Sequence, residues 1–189
     1  PTRRSSDLGY LITNAHLIGD KERIILTQFV DGKLLKFKAK LIDKDFLLNL
    51  ALLEIEDERF NGFSALRYEF KENSSKGQDV FMLGFPQESL AFTEMPTLCS
   101  RLGKTMRSGL VPLEYGQVLP GYSGSPLIDN VGNIRGVAMG GETYNRTQKN
   151  YALDVNELRT FLIEHQIDVD FEANNIQKRK VYPAMFTEH

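Results

Sequence analysis

Short apolar stretches alternate with turn-forming clusters along the whole chain, and few have the length or period of a helix. Gly9 to Thr13 reads as a buried strand that runs into a bend at Asn14-Ala15. The β-branched and apolar residues from Arg23 to Val30, the hairpin signal Asp31-Gly32 and a returning stretch from Leu34 to Ile42 predict an antiparallel pair. In the returning strand Leu35, Phe37, Ala39 and Leu41 fall on one face; Lys36, Lys38 and Lys40 fall on the other and are expected to face solvent. Asp43 to Leu48 is a loop into a strand from Asn49 to Glu56, and residues 57–77 are a polar link between two halves. Asp79 to Leu83 is a strand that ends at the turn Gly84-Phe85-Pro86, and Ser89 to Val111 holds one or two hairpins. Leu127-Ile128, a turn from Asp129 to Asn133, and Ile134 to Ala138 form another pair. Asn150 to Asp154 is the last strand. Leu158, Phe161 and Leu162 then share one face of a helix over about 157–165, with Asn156 as its cap. From Ile167 the pattern dissolves into polar residues, so 167–189 reads as a tail or linker. Many short strands and one late helix make the fold class all-β.

Composition narrows the function classes. A chain of 189 residues suits one domain or two closely packed halves, and 41% hydrophobic residues can fill its core. The formal charge of -2 points to neither nucleic acid nor an anionic membrane surface. No apolar run approaches the ~18 residues of a membrane helix. Cys99 is the only cysteine, which excludes an internal disulfide and leaves the bacterial envelope or the cytoplasm open; it reads as a small buried apolar residue. Three scattered histidines and one cysteine make no zinc ligand set, and no glycine-rich phosphate loop opens a helix, so neither metal nor cofactor is expected. Residues 1–8, Pro1-Thr2-Arg3-Arg4-Ser5-Ser6-Asp7-Leu8, look like the translation of a short-read sequencing adapter, which would make them a non-native remnant of a truncated gene fragment; the alternative is a basic, flexible N-terminus.

One stretch carries candidate chemistry. Gly121-Tyr122-Ser123-Gly124-Ser125-Pro126 describes a tight turn with a hydroxyl at its apex. A serine so placed becomes a nucleophile if a base reaches it, and the turn's N–H groups can face a developing oxyanion. Two further stretches bear on it: Gly9-Tyr10-Leu11-Ile12-Thr13-Asn14-Ala15-His16 ends an apolar strand on a histidine, and Asn49-Leu50-Ala51-Leu52-Leu53-Glu54-Ile55 begins a strand on a polar residue.

The order histidine, polar residue, serine, with these flanks, resembles the trypsin-like serine peptidases, and within them the bacterial HtrA/Deg-like branch. The resemblance runs from about Gly9 to about His165. It implies a peptidase domain over about 9–166, made of two antiparallel six-stranded β-barrels, about 9–60 and 77–154, closed by the late helix. Relatives carry one or two strands before Gly9, so the first barrel is expected to be N-terminally truncated, with an open sheet edge. The cleft would lie between the barrels, with His16 and Asn49 from the first and Ser123 from the second. His16 would be the general base, since His165 lies near the helix end and His189 is the last residue. The N–H groups of Gly121 and Ser123 would form the oxyanion hole. Met139, Gly140 and Gly141 would pair with substrate backbone, and uncharged Gln117 would lie at the floor of the specificity pocket. Tyr122 stands where digestive relatives carry an aspartate that pairs with a newly cut N-terminus, so activation by propeptide cleavage is not expected.

Asn49 departs from the pattern, which has aspartate there. An amide carries no charge to stabilise an imidazolium and can hold the histidine in the wrong tautomer; in a Ser-His-Asp triad this replacement costs about 10⁴ in turnover. Asp43 and Asp45 are the possible substitutes. The resemblance therefore supports two readings. One is a weakened serine endopeptidase acting on polypeptides; the other is an inactive peptidase-fold module that holds peptides in the same cleft. An esterase is disfavoured because no Gly-x-Ser-x-Gly elbow is present.

Overall fold

In the computed structural model the described residues are 9–21, 23–30, 33–57, 59–60, 69–70, 76–84, 97–116, 118–144, 147–167 and 181–183. They form two sheets and two helices. The first sheet contains β1 (Tyr10–Thr13), β2 (Ile24–Val30), β3 (Lys33–Asp45) and β4 (Leu50–Ile55). The second contains β5 (Glu69–Phe70), β6 (Asp79–Leu83), β7 (Thr97–Arg101), β8 (Leu110–Leu113), β9 (Pro126–Ile128), β10 (Asn133–Tyr144) and β11 (Thr147–Asp154). The helices are α1 (Ala15–Ile18) and α2 (Val155–Glu164), and a last strand, β12 (Val181–Pro183), returns to the first sheet.

The second half closes on itself. Its strands run β7-β6-β9-β10-β11-β8, and a bridge between Leu102 and Leu113 joins the two ends, which makes a six-stranded barrel. Gly103 N donates to Pro112 O at 2.7 Å and Glu114 N to Arg101 O at 2.9 Å across that seam. The first sheet stays open, in the order β12-β1-β4-β3-β2. The fold is thus the expected trypsin-like, mostly β arrangement with a C-terminal helix.

Three apolar clusters explain why the halves hold together. Ala51, Leu53 and Ile55 of β4 face the first half's interior with Leu11, Leu26, Phe37 and Ala39. Leu50 and Leu52, from the opposite face of the same strand, join Ile12, Ile134, Val137, Leu153 and the α2 residues Leu158, Phe161 and Leu162. The near-continuous apolar run of β4 follows from this: a strand with an interior on each side has no solvent face to make polar. The third cluster fills the second barrel and includes Val80, Met82, Val111, Tyr122, Leu127 and Ala138. Each fully buried Leu or Ile contributes about 1.5–3 kcal/mol. The junction cluster, which draws on both halves and α2, therefore fixes the cleft geometry.

The structure amends several sequence expectations. The bend after β1 is a single helical turn, α1, so His16 sits on a helix. β3 continues to Asp45, and Asn49 closes the following turn instead of opening β4. The cap of α2 is Asp154, whose side chain accepts from Asn156 N, and the helix begins at Val155. Asn156 lies inside the first turn: its own N–H is one of the donors a cap must satisfy. Cys99 is exposed, because β7 is a barrel strand and Cys99 points outward. Within the stretch read as a tail, Ile167 is buried and β12 pairs in parallel with β1, covering the sheet edge expected to be open. Gln117, residues 1–8, the hairpin signal Asp31-Gly32 and the turn residues Phe85-Pro86 lie outside the described residues.

Candidate active site

The site forms where β1 ends, β4 begins and the serine turn meets both. Thr13 and Asn14 are fully buried at the end of β1. Asn14 Nδ2 and Ala15 N both donate to Asn49 O, each at 3.1 Å, which clamps the turn before β4 onto the start of α1. Asn49 holds a left-handed backbone, φ 51°, which asparagine and aspartate tolerate better than most residues. Its side chain reaches back to His16. Asn49 Oδ1 accepts from His16 N at 3.0 Å, and His16 Nδ1 lies 3.0 Å from Oδ1 and 2.8 Å from Nδ2. The backbone N–H fixes which end of the amide is oxygen, since the reversed amide would oppose two donors. It leaves Nδ1 between an acceptor and a donor. An Nδ1–H tautomer can bond Oδ1 and leaves the Nε2 lone pair for a serine proton; an Nε2–H tautomer accepts from Nδ2 and cannot act as base.

Neither nearby carboxylate replaces the missing charge. Asp45 Oδ1 accepts from Leu47 N and Leu48 N at 2.7 and 2.9 Å and shapes the turn. Asp43 Oδ2 bonds His165 Nε2 at 2.8 Å, while His165 Nδ1 bonds Phe161 O at 2.7 Å. Burial opposes charge on His165, but the bonds to Phe161 and Asp43 outweigh it and raise its pKa; the bond to His165 in turn lowers that of Asp43. Both ring nitrogens face acceptor oxygens, and the pair straps the first sheet to the end of α2.

The serine turn is built from glycines. Gly121 and Gly124 have φ 99° and 82°, which L side chains rarely adopt. Tyr122 N donates to Leu119 O at 3.1 Å and Ser125 N to Tyr122 O at 3.0 Å, while Gly124 N and Ser125 O tie the turn to Ala138 of β10. Among the described residues the N–H groups of Gly121 and Ser123 donate to nothing. Tyr122 is buried in the second barrel, and desolvation raises its pKa. A Cβ on Gly124 would lie 2.8 Å from Thr13 Oγ1 and 3.4 Å from Asn14 N, so the residue after Ser123 rests on the strand end that carries His16. No hydrogen bond joins Ser123 Oγ to His16 in this arrangement.

β10 completes the wall. It is bulged between Ala138 and Gly140, and a Cβ on Gly140 would sit 3.8 Å from Ser123 Oγ. Pairing with β9 stops at Val137, whereas pairing with β11 runs on to Tyr144. Among the described residues, Met139, Gly140 and Gly141 therefore keep one ladder side open beside the serine. Met139 Sδ accepts from Asn14 Nδ2 at 3.7 Å and lies 4.0 Å from Asn49 Nδ2. Asn14 is the residue that sequence reasoning passed over as a bend; the signal was a polar pair, Thr13-Asn14, closing an otherwise apolar strand. The structure gathers His16, Asn49, Ser123, Gly121, Met139 and Gly140 at one junction, with Gly141 at its exposed rim; Gln117 is outside the described residues. Among those residues no group of three or more His, Cys, Asp or Glu could hold a metal ion.

Comparison with known proteins identifies the family and the fold. The family model described as a trypsin-like peptidase domain matches residues 3–137. The chain belongs to the trypsin-like peptidases. Among curated relatives, this trypsin-like domain is 31% identical over 136 residues to the serine endoprotease DegS of Salmonella typhimurium, covering 68% of the chain and 36% of that protein. It is 29% identical over 139 residues to the periplasmic serine endoprotease DegP of Escherichia coli K12, covering 70% of the chain and 27% of that protein. It thus spans about a third or less of these relatives. Among solved structures, the MamO protease domain from Magnetospirillum magneticum aligns with TM-score 0.65 at 18% identity, over 82% of each chain. The serine endoprotease from Yersinia pestis aligns with TM-score 0.63 at 23% identity, over 84% of this chain and 54% of that one. Both structural matches speak to the fold alone.

Proposed function

We propose that this domain is a serine endopeptidase whose turnover is held down by Asn49. Ser123 Oγ attacks the peptide carbonyl while His16 Nε2 takes its proton; His16 then gives that proton to the leaving amine, and water resolves the acyl-enzyme by the same route. The N–H groups of Gly121 and Ser123 receive the oxyanion. The open side of Met139 to Gly141 pairs with an extended peptide. What carries the reading is the packing of Gly124 on Thr13 and Asn14, which brings the serine turn and the histidine-bearing segment to one junction. The lack of a hydrogen bond between Ser123 and His16 is no objection, since catalytic hydrogen bonds often tighten only when substrate binds. The kinship to DegS and DegP supports a polypeptide as substrate.

Asn49 also favours a second reading, a cleft that binds peptides without cutting them. A fluorophosphonate probe separates the two. Slow labelling that disappears in Ser123→Ala and in His16→Ala is expected for the endopeptidase. Labelling by neither the parent nor Asn49→Asp, with both folded, leaves the binding module.

A further inference from the structure

The edge of the first sheet farthest from β12 carries a second concavity. It has a volume of about 600 Å³ and an apolar floor that includes Leu17, Ile18, Ile24 and Phe37. Lys21, Arg23, Lys36 and Lys38 border it. All four are exposed, and none forms an ion pair among the described residues. Four exposed cations without an ion-pair partner among the described residues border one hollow, in a chain of net charge -2. Arg59 also lines the hollow but is held by Asp57 at 2.6 Å and faces the Phe37 ring.

The hollow lies along β2, whose residues Ile24, Ile25 and Thr27 line it, and among the described residues β2 is the outermost strand of its sheet, paired only with β3. Lysines near a free edge ordinarily guard it against pairing. Here they border an apolar recess beside backbone that no described residue pairs with, a combination that a purely protective arrangement does not need. Backbone donors and acceptors, apolar pockets and a ring of cations are together the complement of one chemistry.

We infer that this edge is a docking site for an extended acidic peptide segment of a partner protein, one that alternates carboxylate and apolar side chains. The segment adds to β2 as a further strand, lays its apolar residues on the Ile24–Phe37 floor and directs its carboxylates at Lys21, Arg23, Lys36 and Lys38. Strand addition needs an open ladder, and an anionic membrane or a nucleic acid would make no use of one. Leu17 and Ile18 follow His16 directly in α1, so the occupant touches the helix that carries the proposed base while staying outside the cleft.

The test is fluorescence anisotropy with a labelled peptide Val-Asp-Ile-Glu-Val-Asp, performed on the whole chain carrying Ser123→Ala so that no cleavage intervenes. Saturable binding is expected, weakened about tenfold or more by Lys36→Glu/Lys38→Glu and weakened further as salt rises, as contacts between exposed charges require. Lys40→Glu, on the same strand but outside the hollow, should change affinity less than about twofold. The peptide Val-Lys-Ile-Lys-Val-Lys should not bind. Equal binding of both peptides, or affinity unmoved by Lys36→Glu/Lys38→Glu in a folded protein, overturns the assignment. So does absence of peptide binding alongside lysine-dependent sedimentation with phosphatidylserine vesicles or retention of an RNA oligomer.

Discussion

Restoring a carboxylate beside His16 is the sharpest probe of the site. Asn49→Asp changes one atom and leaves the backbone alone, because aspartate accepts the left-handed φ of 51° as asparagine does. One carboxylate oxygen keeps the His16 N–H bond. The other takes the place of Nδ2, 2.8 Å from Nδ1. Nδ1 then meets only acceptors, so it must carry the proton and Nε2 must present its lone pair. The charge adds to this. Unit charges at 4 Å attract by about 1 kcal/mol in water and about 4 kcal/mol at an effective dielectric of about 20. With about 1.36 kcal/mol per tenfold in rate, the second figure gives about a thousandfold once substrate seals the cleft. Tautomer selection carries the gain toward the full 10⁴ or so known for such a replacement. The assay is the second-order rate of fluorophosphonate labelling, with kcat and KM on a peptide substrate beside it. A rise of about 10² to 10⁴, in kcat and not in KM, is expected. An Asn49→Asp protein with the parent's circular dichroism and melting temperature that labels no faster would refute the reasoning.

Other consequences follow from the same packing. Gly124→Ala would place a Cβ 2.8 Å from Thr13 Oγ1 on a φ of 82°, and should cost about 1–3 kcal/mol in urea unfolding. The Asp43–His165 strap should be pH-dependent. The pKa of His165 is raised on folding, so its contribution is complete below the ordinary value near 6.5 and is lost as pH rises through the raised value; Asp43's is lowered, so its contribution is present above about 3.8 and lost on acidification. His165→Gln should flatten the alkaline side of that stability profile, with a loss of at most about 1 kcal/mol for so exposed a pair. Asp129 is buried, which raises its pKa, yet bonds from Asn133 and Arg135 outweigh burial and bring it to about 2. That depression is worth about 2 kcal/mol, present above about pH 4 and lost as pH falls through 2. Asp129→Ala should cost about 3 kcal/mol or more at neutral pH, measured by denaturant titration.

Much of this was legible in the residue order. Alternation located the strands that face one interior, as in Phe37 and Ala39 against Lys36 and Lys38, and the turn chemistry of Gly121 to Pro126 marked the serine. Alternation failed where a strand serves two interiors: β4 showed only a continuous apolar run, which hid that Leu50 and Leu52 belong to a different core from Ala51 and Leu53. Capping was misread by two residues because Asp154 and Asn156 are both good caps, and only the dihedrals tell which stands outside the helix. The role of Asn14 was invisible for a related reason. Its partners, Asn49 O and Met139, lie far away along the chain, and no local pattern announces a contact of that range.

The shared core at the junction also bears on how the polypeptide is made. Ile12, Leu50 and Leu52 emerge early in synthesis, yet the surface they pack on includes Leu158, Phe161 and Leu162, which emerge near the end. Until α2 is free to fold back, the two halves lack much of the core they share.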